Sequence, residues 1–375
     1  MFYKQFQFMP ISLFLLIFFF SCSDQNHSNH GSQPEQLSKD SLLSKSRLDT
    51  SLQLTFKTGI RAILEDSKGN IWFGSHQEGV AQFDGSKMIY YTEADGLSNR
   101  QVRTIYEDDA GIIWMDCGVG ISSYDGERIT TSTSRNYTAR DEWKWSDDDL
   151  WFKGNEMSSY NTLEQSFGVY QYDGQTFSFR AFPVKRKEGD DNYYSVTTPF
   201  IRSKNQMIWF GTYGAVIGYN GTDFTIIDNE YLGFNKDTGY LHIRSLMEDS
   251  KGNLWIGNNG IGILLYDGNS IVNFSDLHAL PVDNSLHSIG YESNSGSPKR
   301  VFSIGEDLEG NIWFGDRDTG AWRYNGTSLI NYGLEDGLTT THIWQIYNSK
   351  KGTLWFAMGD GKVLEFNGKS FDRIF

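Results

Sequence analysis

Eleven residues before each of seven tryptophans the chain carries Arg61, Arg103, Arg140, Thr198, Arg244, Phe302 and Trp344. Guanidinium groups fork onto carboxylates and sulfates, and indole or phenyl faces stack on sugar rings, so this set suits an anionic, ring-bearing ligand. A structural reading stands beside it: a repeated arginine can pair with an acid of the neighbouring unit, here Glu65, Glu107, Glu248 or Glu306. Further side chains able to bind a ligand or move a proton lie in the longer connections, among them Tyr193, Tyr194, Tyr240, His242 and His342. Tyr240 or His242 as a base, with Arg244 holding an anion, would make a lyase or hydrolase. Other catalytic signatures are missing: the chain has no P-loop, dinucleotide fingerprint, zinc spacing or nucleophile elbow. Asp141 and Glu142 are neighbours that a strand would point to opposite faces, so they cannot form an opposed acid and base pair. Acidic runs such as Ser146-Asp147-Asp148-Asp149 and Glu188-Gly189-Asp190-Asp191-Asn192 read as solvated loops rather than calcium sites. The expectation is a binding protein rather than an enzyme, with no metal and no cofactor.

The elements that must position these side chains are short strands. Aromatic residues make up 15% of the 375 residues, with 39 Gly and only 6 Pro, a composition suited to strands joined by tight turns. One phrase recurs seven times, first as Gly69-Asn70-Ile71-Trp72-Phe73-Gly74, with later copies centred on Trp114, Trp151, Trp209, Trp255, Trp313 and Trp355. After each copy comes an aromatic residue followed by Asp-Gly or Asn-Gly, from Phe83-Asp84-Gly85 to Phe366-Asn367-Gly368. These pairs take the positive φ angles of two-residue hairpins. Each copy therefore predicts four strands, in the first copy A over Ile60 to Asp66, B over Asn70 to Ser75, C over Gly79 to Asp84 and D over Lys87 to Tyr91. One such sheet cannot bury both faces alone, whereas seven in a ring can. The predicted fold class is all-β, a seven-bladed β-propeller of four-stranded antiparallel blades spanning residues 51–375.

The repeat, with Glu-Asp, Gly-Asn-(Ile/Leu)-Trp-Phe-Gly and then Tyr-Asp-Gly, resembles the two-component regulator propeller repeat over residues 60–375. In that family paired propellers commonly form the extracytoplasmic sensor of a membrane histidine kinase, often for oligosaccharides. The resemblance implies a sensory or ligand-binding propeller for glycans. The sequence as read carries one propeller and no kinase or receiver domain, so a stand-alone accessory without phosphotransfer is expected. A protein-interaction scaffold in the cell envelope is the other non-enzymatic reading.

Ahead of the repeats, an apolar run from Phe8 to Phe20 follows Lys4 and is too short to span a bilayer as a helix. It ends at Phe19-Phe20-Ser21-Cys22, which resembles a bacterial lipoprotein signal with Cys22 as the lipidated residue. Residues 1–21 are thus expected to be a signal peptide, residues 22–50 a polar tether, and the protein lipid-anchored to a membrane on the extracytoplasmic side. The formal net charge of −14 excludes a nucleic-acid-tracking surface. Cys117, in a strand-like run, is expected to be a buried thiol.

Strands alternating in direction place the A–B and C–D turns on one face and the B–C and D–A connections on the other. The spacing before each Trp is constant and the C–D turns are all Asp-Gly or Asn-Gly, whereas the D–A connections vary and the third copy gains residues around Asn155 to Phe167. All the variation falls on one face, which makes that face the expected binding surface, with the seven aligned residues ringing its central mouth. For ring closure, Ser370 to Phe375 is expected to be the outer strand of the last blade, with Leu52 to Phe56 pairing outside it. The third copy is irregular, its inner strand reading Arg140-Asp141-Glu142-Trp143-Lys144-Trp145.

Overall fold

The structure, a computed structural model, describes residues 47–49, 52–132, 143–153, 167–185, 187, 189, 193–274 and 297–375. Within them seven antiparallel sheets follow one another in chain order, six of four repeat strands and a third with three described strands. In blade 1 the strands are Ile60–Glu65, Ile71–Ser75, Val80–Phe83 and Met88–Tyr91, hydrogen-bonded in that order from the inside out. The other inner strands are Val102–Glu107, Ile201–Arg202, Ile243–Glu248, Val301–Glu306 and Ile343–Asn348. Neighbouring inner strands pack on one another, and that of blade 7 packs on that of blade 1, so the ring closes.

The recurring Asp and Trp explain how each sheet is held. Trp72 Nε1 donates to Asp66 at 2.9 Å, and Trp114, Trp255 and Trp313 donate to Asp108, Asp249 and Asp307 at 2.8, 2.9 and 2.8 Å. The same carboxylates take the backbone N–H at the end of the A–B turn, as Asp66 does from Asn70 at 2.7 Å. Burial pushes the Asp66 carboxyl up, but the hydrogen bonds from Trp72, Asn70 and Lys68 outweigh it and leave it below the usual carboxylate range. An aspartate six residues before the Trp thus satisfies a buried indole and fixes the turn together.

The glutamates preceding those aspartates join blades. Glu107 accepts from Ser67 N at 2.7 Å, Glu248 from Lys204 N at 3.1 Å, Glu306 from Ser250 N at 2.6 Å and Glu65 from Lys350 N at 2.5 Å. Each receives the A–B turn of the preceding blade. The acids expected as partners for the repeated arginines are therefore committed to this turn-rich face, four residues further along the strand, or about 13 Å at strand rise.

At the seam between blades 7 and 1, strand Phe371–Arg373 completes blade 7 by pairing with Val363–Phe366, as expected. The expected pairing of Leu52 to Phe56 outside that strand does not occur. Instead Arg47–Asp49, within the stretch expected to be tether, pairs antiparallel with the outer strand of blade 1. Leu54 and Phe56 plug the seam among Phe73, Met88, Tyr90, Trp355, Val363 and Phe375. Thr55 N donates to the Tyr90 hydroxyl at 3.0 Å, and Lys57 N and Thr58 N donate to Glu78. Side-chain acceptors thus replace a strand ladder. Cys117 is fully buried, and burial pushes its thiol up to about 11.

Blade 3 departs from the expected pattern. Arg140, Asp141 and Glu142 lie outside the described residues, and Trp143 to Trp145 form no strand. Trp143 stacks on Trp151 (centroids 5.5 Å apart, planes 12° apart) and on Phe182, and its carbonyl accepts from the blade 4 Tyr219 hydroxyl at 2.7 Å. Blade 3 has Trp145 where blades 1, 2, 5 and 6 carry the aspartate and blades 4 and 7 carry Ser203 and Ser349, and Ser203 accepts from Trp209 Nε1 at 3.2 Å.

Candidate functional site

In five inner strands the pairing slips by one residue at the same place: between Ile60 and Ala62, Val102 and Thr104, Ile243 and Ser245, Val301 and Ser303, and Ile343 and Gln345. The extra residues are Arg61, Arg103, Arg244, Phe302 and Trp344, the aligned set singled out in the sequence. A β-bulge leaves its extra residue out of the ladder and re-aims its side chain. The extra residue is half-buried in all five, with buried residues on both sides in four, as in the pattern of Ile60, Arg61 and Ala62; beside Trp344, Ile343 is buried and Gln345 half-buried.

Two further positions per blade join this one. The residue four after the Trp donates its N–H to the carbonyl of the residue thirteen before it: His76 to Gly59 (2.8 Å), Gly118 to Gln101 (2.6 Å), Asn259 to His242 (2.8 Å), Arg317 to Arg300 (2.9 Å) and Gly359 to His342 (2.7 Å). The insertion-rich end of each of these blades is therefore pinned just beside its bulge.

The side chains make a continuous cluster across blades. Arg61 lies over the Trp344 ring at 4.7 Å, and Arg244 lies over Phe302 at 5.2 Å and Tyr213 at 5.5 Å. Phe302 meets Trp344 edge-on at 5.4 Å. The Trp344 indole has His342 stacked at 4.5 Å and His76 stacked at 5.3 Å. Gln101 bridges onward, its Nε2 3.3 Å from His76 Nδ1 and its Oε1 accepting from Arg103 Nε at 2.9 Å. His242 packs on Tyr213 at 4.9 Å, with Asn259 Nδ2 3.3 Å from its Nδ1. Gly59 is required for this approach: a Cβ there would fall 2.1 Å from the Trp344 ring.

Electrostatics follow from the arginines. Burial, and then Arg244, pushes His242 down to about 3; burial, Arg317 and, further off, His76 and Arg61 push His342 down to about 4 against the opposing pull of Asp318. Burial, Arg61 and Arg103 lower His76 as well. All three imidazoles are neutral at pH 7. The Nε2 atoms of His242 and His342 are buried and have no protein partner. In a chain of net charge −14 this cluster gathers Arg61, Arg103 and Arg244 among aromatic rings.

The remaining sequence candidates fall elsewhere. Tyr194 is 4% exposed in the core between blades 3 and 4, edge-on to Tyr193 at 4.7 Å, so it anchors its loop instead of facing a ligand. Tyr240 is 50% exposed, whereas His242, the other candidate base, packs on Tyr213 beside Arg244. Thr198 bonds back to Gly211 N and Pro199 O. Arg140 and Cys22 lie outside the described residues. Sequence reading missed His76, Gln101, Tyr213, Asn259 and Arg317. The constant spacing to the Trp, four after or thirteen before, was the signal available for them.

The profile of the two component regulator propeller family matches residues 56–77 and 239–260, that is, the inner two strands of blades 1 and 5 with their bulges. The chain carries two component regulator propeller repeats. No curated protein matches it. Among solved structures it is similar to the extracellular domain of a putative hybrid two component system from B. thetaiotaomicron, with 18% identity and a TM-score of 0.59, over 83% of this chain and 39% of that one. The chain therefore spans well under half of that relative's length. It is also similar to virginiamycin B lyase from Staphylococcus aureus, with 16% identity and a TM-score of 0.57, over 86% of this chain and 99% of that one. At these identities the likeness establishes the shared propeller fold.

Proposed function

We propose that this chain is an extracytoplasmic sensory or ligand-binding propeller that holds an anionic glycan at its bulge-lined mouth. The observation that carries the reading is the bulge recurring in five inner strands at the residue that bears Arg, Phe or Trp. Arg61 lies over Trp344 and Arg244 over Phe302; guanidinium is the side chain that best matches a carboxylate or sulfate, and the rings suit the apolar face of a sugar. The sensory part rests on the repeat family and on the two component extracellular domain that shares the fold. Cys22 is the proposed lipid attachment that keeps the propeller at the membrane; among the described residues no helix is long and apolar enough to cross one.

An enzymatic reading has less support. The lyases share the fold, but a histidine held near 3 is a weak base. The test is an array of acidic and neutral oligosaccharides probed with the wild type, Arg244→Ala and Trp344→Ala. The reading expects acidic members to be retained and each variant to lose roughly tenfold or more in affinity, the scale of a truncated anchor. Equal retention of neutral and acidic glycans, or unaltered variants, would sink it.

A further inference from the structure

The mouth does not end at the ring. Between blades 1 and 2 an open cleft of about 340 Å³ is lined by the polar side chains of His76, Gln77, Asn99, Arg100 and Gln101, together with Gly118 and Val119. It shares two residues with the cluster above: His76, stacked on Trp344, and Gln101, which touches both His76 and Arg103. That volume lies at the lower end of the ~300–1,000 Å³ typical of small-ligand sites.

The chemistry of this cleft differs from that of the mouth. Arg100 is tied to Glu93, its N–H and Nε donating to the two carboxylate oxygens at 3.1 and 2.6 Å, so its charge is matched locally. Asn99 spends its Oδ1 on Gln101 N at 2.9 Å, leaving its amide NH2 to donate. Gln77 adds a second side-chain amide, and His76 is neutral. Gly118 lets both side chains pack down onto the backbone, since a Cβ there would fall 2.9 Å from Asn99 Oδ1 and Gln101 Oε1. Neutral amides and an imidazole suit the hydroxyl groups of an uncharged sugar rather than an anion.

Resting on the reading of the mouth as an anion site, we infer that the ligand is at least a disaccharide: an acidic unit at the Arg and Trp344 ring, joined to a neutral unit in the cleft between blades 1 and 2. Gln77 and Asn99 would determine specificity for the second unit, with Gln101 and His76 as the hinge between subsites.

Calorimetry with glucuronate and with cellobiouronic acid, a glucuronate linked to glucose, tests this on the full propeller. The wild type is expected to bind the disaccharide at least tenfold more tightly than glucuronate. Gln77→Ala with Asn99→Ala should erase that advantage and leave glucuronate binding unchanged, while Arg244→Ala weakens both. If the double variant binds the disaccharide as tightly as the wild type while Arg244→Ala still weakens it, the cleft subsite is overturned and the mouth reading stands. If the wild type binds neither probe, both are overturned. Glucuronate binding by the double variant serves as the folding control, because a collapsed mouth would lose it.

Discussion

The histidines at the mouth give a prediction that needs no ligand. His242 is held at about 3 and His342 at about 4, against 6.5 for an ordinary histidine. In the unfolded chain both protonate as pH falls through 6.5, while in the folded chain both stay neutral until far lower. Their depressed values therefore leave stability intact above 6.5 and withdraw it as pH falls toward 4 and 3. At pH 5 the unfolded state gains about 1.5 pH units of protonation at each, which removes about 2 kcal/mol per histidine and about 4 kcal/mol for the pair relative to pH 7.5. Asp66 and Asp249, with carboxyls held below the usual range, lose their contribution only at lower pH and add little over this interval. Urea unfolding at pH 7.5 and pH 5 measures the loss. A His242→Gln, His342→Gln double variant keeps an amide in place of each imidazole and should lose about 4 kcal/mol less than the wild type between the two values. If wild type and variant weaken equally, the histidines are not buried against a cationic mouth and the electrostatic account fails.

Other consequences can be checked separately. Gly59→Ala places a methyl where the Trp344 ring lies, so it should reduce acidic-glycan binding as much as Trp344→Ala does, read by the same array. Asp249→Ala strands the buried Trp255 indole N–H and the turn amide of Asn253, and should cost about 1–3 kcal/mol in unfolding experiments, whereas Glu248→Ala, on an exposed seam, should cost under about 1 kcal/mol. Cys117 should resist alkylation in the native protein at pH 8 and react in denaturant, read by mass spectrometry of its peptide; native labelling would place it outside the core. Cys22→Ser should abolish incorporation of labelled fatty acid and release the protein from the membrane fraction; continued incorporation would refute the anchor.

The blades were legible because their punctuation is chemical. Asp-Gly and Asn-Gly force tight hairpins, and the Asp six residues before the Trp exists to meet an indole N–H, so spacing and structure express one constraint. The aligned ring was legible for the same reason, since Arg61, Arg103, Arg244, Phe302 and Trp344 keep constant distance from that Trp. The bulge that aims them was not, because an extra residue in a strand leaves no residue type of its own. Two adjacent buried positions after it, such as Ala62 and Ile63, are its faint trace. Tyr194 and Tyr240 could not be separated from true mouth residues, since an aromatic in a loop can anchor the loop or face outward. Leu54 and Phe56 alternate as a strand would, yet the backbone beside them, at Thr55, Lys57 and Thr58, donates to the Tyr90 hydroxyl and the Glu78 carboxylate instead of to a strand, a choice set by the seam between the first and last blades rather than by local sequence.

The central claim is that an acidic sugar sits at the mouth, and the imidazole resonances of His242 and His342 report on that place directly. Nuclear magnetic resonance titration with an acidic oligosaccharide retained on the array should shift both sets of ring signals and raise both pKa values, as an anion offsets Arg244 and Arg317. Binding that leaves both histidines unmoved would put the ligand elsewhere and contradict the account.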